Sequence, residues 1–165
     1  MKKKRTFNKV AGWQKIKAAI VGEIMDPQSV ESRADLMLPA YAALNALETG
    51  RLDVDGYFRI NEMNCVALCL AARLHAQGSA AVKAAMEVDL LIVRAASDAM
   101  NAIGERYNRT GRFGATGEQL QQVRATITTV DRLAESAPVG VLLKAMREAA
   151  DMVDGAAKQR RKEAA

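Results

Sequence analysis

Aromatic side chains make up only 4% of this 165-residue chain. That is too few for a base-stacking platform on single-stranded nucleic acid. Histidine occurs once, at position 75. A di-iron bundle built on two Glu-x-x-His motifs is therefore excluded. A Ser-His-Asp triad would have to use His75, and no nucleophile-elbow sequence accompanies it. The two cysteines, Cys65 and Cys69, do not make the framework of a small secreted fold. Three prolines leave room for long uninterrupted helices. No sustained period-two pattern predicts a strand. No apolar run is long enough to span a bilayer, and none follows the charged Met1–Arg5 as a signal core would. A cytoplasmic protein is expected.

Half the residues are hydrophobic, carried by Ala, Leu, Met and Val, a composition that favours helix. The most telling span is Met63–Leu74, MNCVALCLAARL, where only Asn64 and Arg73 are strongly polar. A helix apolar on nearly every side is buried among other helices. The length suits one domain with a sizeable core. The expected fold is all-α, a single-domain bundle of five or six helices around this central buried helix. Residues 1–6 and 158–165 read as basic flexible tails and 7–157 as the bundle.

Apolar periodicity and capping signals place the helices. A first amphipathic helix carries Phe7, Val10, Trp13, Ile16, Ile20 and Ile24, and Asp26-Pro27 stops it. A second shows Leu36, Ala40, Leu44 and Leu47 and ends at Gly50, with Pro39 required in the first turn or at a kink. The central helix runs from about Tyr57 to Ala76 after the Asp53–Gly56 turn, closed by Gly78. Ser79 caps a fourth helix reaching about Tyr107, with a seam of Val82, Met86, Val93, Ala96, Met100 and Ile103 that includes Asp89. Thr116 and Gln119 match a capping box for a fifth helix, whose face is Leu120, Val123, Ile127, Val130 and Ala134. A last helix follows Pro138 with Leu142, Ala145, Ala149, Met152 and Ala156. Leu68 and Leu70 are expected in the core.

Charge is uneven. Met1–Met25 holds seven Lys/Arg and one Glu, and Ala156–Ala165 four and one, whereas Asp26–Gly155 holds thirteen against seventeen acids. Basic ends release counterions when they meet a phosphate backbone. Lys2, Lys3, Lys4, Arg5, Lys9, Lys158, Arg160, Arg161 and Lys162 are the candidate nucleic-acid contacts; solvated tails are the plainer reading.

Few residues offer chemistry. Cys65 and Cys69 share a helix face, but on a helix His75 projects about 80° from the first and about 120° from the second. The three do not converge on one tetrahedral ion, and the thiols read as small buried hydrophobes. The loop Gly111–Gly117, GRFGATG, lacks the Gly-Lys-Ser/Thr ending of a P-loop and a preceding strand. Arg109 and Arg112 beside it leave open an anion site at the next helix start, against a plain inter-helix loop. Asn64, His75 and Asp89 read as structural polar groups that fix helix pairing. No metal, cofactor or catalytic residue is expected. Trp13, Arg109, Arg112 and Phe113 are the candidate partner contacts, Trp13 being equally suited to packing in the bundle.

The order Gly50, then Asn64, Val66, Ala67 and Leu68, then Gly111, Arg112, Thr116, Gly117 and Leu120 resembles small uncharacterised helical proteins of phages and conjugative elements. The resemblance covers about two thirds of the chain and implies an accessory protein directed at a host or element-encoded partner. The expected function is non-enzymatic regulation by protein–protein contact, with homo-oligomers allowed. The alternative is a nucleic-acid-binding accessory protein that uses its basic termini.

Overall fold

The structure, a computed structural model, describes residues 30–163, with side chains over 34–153 and at 155. Five helices account for it: α1 (Val30–Glu48), α2 (Val54–Gln77), α3 (Ala80–Thr110), α4 (Gly117–Ser136) and α5 (Val139–Glu163). They form one all-α domain, with no strand among the described residues. The expected first helix, Phe7 to Ile24, lies outside them.

The connections are short, so neighbours in sequence run antiparallel. Helix α1 ends where Gly50 takes φ of 68°, a left-handed conformation suited to glycine. There the Arg51 N–H reaches the Ala46 carbonyl at 2.7 Å. Asp53 then starts α2, its carboxylate accepting from the Gly56 N–H at 2.8 Å. The helix therefore begins before Tyr57, because Asp53 is the cap itself. Only Gly78 and Ser79 separate α2 from α3, and Ser79 caps α3.

Helix α2 is the hub. It packs against each of the other four, while α4 also meets α1 and α3. Ile60, Met63, Val66, Ala67, Leu70 and Ala71 on it are all buried. One core cluster joins α2 to Met37 of α1, Val93 of α3, Ile127 and Val130 of α4, and Leu142 and Ala145 of α5. A second cluster sits at the α1–α2 turn, where Leu47, Leu52 and Ile60 meet Ile103, Phe113 and Val123.

Several expectations need correction. Leu68 is only half-buried, packed at the edge of the core rather than inside it. Val82 is exposed because it folds over Gly78 at the α2–α3 turn instead of facing the seam. Met152 is likewise exposed, at the rim where its sulfur lies 3.6 Å from Cys69 Sγ. Of the two positions open to Pro39, it takes the one inside α1 rather than in the first turn. It faces solvent, so water can hydrate the Asp35 carbonyl that loses its helical donor. Helix α5 continues to Glu163, so the backbone of 158–163 is helical.

Candidate functional site

The most organised surface feature lies where the α3–α4 loop meets the α1–α2 turn. Phe113 stacks on Tyr107, with ring centroids 4.1 Å apart, and on Tyr57, at 5.1 Å. Offset stacks of this kind add attraction beyond area burial. The Tyr57 hydroxyl donates to the Met100 carbonyl at 3.1 Å. Gly104 makes that approach possible, since a Cβ there would sit 2.5 Å from the hydroxyl. Arg106 turns inward, donating to the Gly114 carbonyl and, at 3.3 Å, to Gln119 Oε1. The capping box closes the loop, with Gln119 N–H on Thr116 Oγ1 at 3.2 Å and Thr116 N–H on Gln119 Oε1 at 2.9 Å. At the other end Gly111 takes φ of 72° and its N–H reaches Tyr107 O at 2.8 Å.

The loop is thus pinned along its length, yet Arg109 and Arg112 remain exposed. Neither guanidinium has an ion-pair partner among the described residues. Between this loop and the Gly50–Val54 turn lies an open depression of about 250 Å³, floored by Tyr107 and Phe113 and edged by Leu52, Asp53 and Arg112. Its lining combines the two aromatic rings with one cation and one anion.

No protein-family model, curated protein or solved structure matches the chain. The remaining sequence-derived candidates are therefore placed by geometry alone. Phe113 is not a presented contact, as expected from sequence, but a buried ring that holds the loop in shape. The anion reading loses its first-turn donor at Gln119 to the Thr116 cap. Trp13, Lys2, Lys3, Lys4, Arg5 and Lys9 lie outside the described residues. Lys158, Arg160, Arg161 and Lys162 fall on the last turns of α5, with side chains outside the described set.

Asn64 is buried on α2. Its amide donates to Ser97 Oγ at 2.6 Å, and its carbonyl accepts from Thr126 Oγ1 at 2.9 Å. One buried side chain thereby ties α2 to α3 and α4. His75 does not join it. It is half-exposed near the end of α2, with Nε2 at 3.6 Å from Glu87 of α3, because the helix has by then run past the core. Asp89 is buried and paired with Arg132 of α4.

Among the described residues, no group of three His, Cys, Asp or Glu side chains is placed to hold an ion. Burial, reinforced by Glu148 and Cys65, pushes the Cys69 thiol up to about 11, while Arg73 opposes. Burial and then Glu62 also raise Cys65. Such thiols are poor nucleophiles at neutral pH. Glu62 itself is raised by burial, with Arg59, 2.9 Å away, pulling the other way.

Sequence reading missed Tyr57, Tyr107, Arg106 and Gly104. Only Gly104 carries a signal, as a glycine inside a helix marks close approach of another group.

Proposed function

We propose that this protein is a non-enzymatic binding and regulatory accessory protein that works by protein–protein contact. The observation that supports this most directly is the clamped loop, which holds Arg109 and Arg112 out into solvent with no ion-pair partner among the described residues. Ordering a loop in advance lowers the entropy cost of binding. Arginine is also enriched at interface hot spots, where its planar fork engages carboxylates and carbonyls. The partner surface that fits is an acidic turn whose carboxylates engage Arg109 and Arg112. The resemblance to accessory proteins of phages and conjugative elements favours a host or element-encoded partner.

The test compares tagged wild-type protein with Arg109→Glu/Arg112→Glu, each purified from the natural host with and without nuclease. A stoichiometric protein partner that survives nuclease and is lost in the double variant supports the reading. Retention of the partner by the variant rejects this surface. Recovery of nucleic acid alone, with steep salt dependence, replaces the reading by nucleic-acid binding through the basic termini.

A further inference from the structure

Helix α3 carries two apolar stripes, and the bundle uses one. The inner stripe is Met86, Val93, Ala96, Met100 and Ile103, all buried with Asp89 among them. The second is Ala81, Ala84, Val88, Leu91 and Ala95. Its spacing alternates three and four residues, the seam of a helix that pairs with another helix. At 100° per residue its mean direction lies about 130° from the inner stripe. Val88 and Leu91 at its centre are 57% and 63% exposed. Helices α2 and α4 pack on α3 from the other side, through Ser97 and Asp89, so nothing in the described bundle obstructs the stripe.

We propose that this stripe is a self-association surface, on which α3 of a second copy packs antiparallel about a two-fold axis near Asp89 and Leu90. In that register Val88 lies opposite Leu91 of the other copy and Ala84 opposite Ala95. The small alanines on either side of the Val88–Leu91 centre let the helix axes come close. Two-fold symmetry repeats every contact. The charges flanking the seam select both the occupant and the direction. Glu87 and Arg94 sit at equivalent flanking positions seven residues apart, and antiparallel pairing sets each against the other on the second copy. A parallel pair would set them against Ile92 and Ala99, with no ion pair. A lysine-rich helix, such as residues 7–24 would make, answers Glu87 but repels Arg94. Both groups are available: the Glu87 side chain is 69% exposed with His75 Nε2 at 3.6 Å, and Arg94 is exposed with no partner among the described residues. On the opposite flank Ala85 meets Ile92, adding apolar contact. A single helix pair over Ala81–Asp98 is about 25 Å long. It buries less than a standard interface, so the dimer is reversible and dependent on concentration. The stripe lies toward the opposite end of α3 from the Arg109–Arg112 loop, and the two surfaces operate independently.

Sedimentation equilibrium of the full chain across a concentration series tests this, with circular dichroism melts to confirm that each variant folds. The wild type should follow a monomer–dimer equilibrium, and Leu91→Glu should be monomeric. Glu87→Arg and Arg94→Glu should each weaken the dimer about tenfold, by replacing two ion pairs with two repulsions. The double swap Glu87→Arg/Arg94→Glu should restore it. Arg109→Glu/Arg112→Glu should leave it unchanged. A wild type that is monomeric throughout overturns the proposal. So does a dimer indifferent to Leu91→Glu, or a double swap as weak as the single variants. Dimerisation only after removal of residues 1–29 would assign the stripe to that segment and overturn the proposal equally.

Discussion

Arg132 of α4 donates to Asp89 Oδ1 of α3 at 2.5 Å, while Asp89 Oδ2 is buried with no hydrogen-bond partner among the described residues. The arginine side chain is 54% exposed and the aspartate 7%. The pair is thus lopsided: one charge is half in water, and the other depends on it. Removing the arginine leaves a buried carboxylate alone, whereas removing the aspartate leaves a guanidinium that water can solvate. Arg132→Met should therefore cost about 1.5–3 kcal/mol, and Asp89→Leu distinctly less. Urea unfolding of both single variants and the double variant checks the order. A double variant more stable than Arg132→Met alone is the expected signature.

The second prediction concerns α2. Leu70 is fully buried and Leu68 is not. Leu70→Ala should cost about 2–5 kcal/mol as a large-to-small core change. Leu68→Ala should cost clearly less, because the cavity it leaves opens to solvent. Thermal melts that rank the two equally would contradict α2 as the hub.

The thiols give a third. With Cys69 pushed up to about 11 from an ordinary value of 9.0, its thiolate fraction at pH 8 is about a hundredfold lower than that of a free cysteine. Alkylation by iodoacetamide should be slower by a similar factor and should accelerate only on approach to pH 11. Because the folded state favours the protonated thiol, folding loses stability as pH rises from the ordinary value toward the folded one. Cys69→Ala should flatten that alkaline decline. Cys65→Ala/Cys69→Ala should leave partner binding intact.

Glu62 supplies a fourth, of the same sign in a lower pH window. Its raised pKa means the folded state prefers the neutral acid. Its charged form costs stability above the ordinary carboxylate value, and that cost vanishes below it. Glu62→Gln should match or exceed wild-type stability at pH 7, and the gap should close as pH falls below the ordinary carboxylate range. A variant less stable at pH 7 would mean that the Arg59 contact outweighs burial.

Local signals carried most of the fold. The Thr116–Gln119 box, the Gly50 stop and the Ser79 cap act within a few residues, so chain order alone reveals them. The all-round apolar character of Met63–Leu74 placed α2 at the centre for the same reason. The Tyr57–Phe113–Tyr107 stack was not legible, because Phe113 comes from a loop far along the chain from Tyr57. Phe113 therefore read as an exposed contact when it is a wedge. The half-exposure of His75 was not legible either, because a face shared with Asn64 implies burial only while the helix is still inside the bundle. The outer stripe of α3 was invisible while its alanines and leucines counted as one apolar composition. Only the burial of Met86 and Val93 separates the two faces.

The chain's aromatics divide its optical signals by region. Two of its three tyrosines, Tyr57 and Tyr107, flank the loop that holds Arg109 and Arg112 in place. Its one tryptophan, Trp13, belongs to the segment before α1. Tyrosine ellipticity in the near ultraviolet therefore reports chiefly on the clamped end of the bundle, and tryptophan emission on the basic leader. A ligand that engages one and spares the other declares its address without a label.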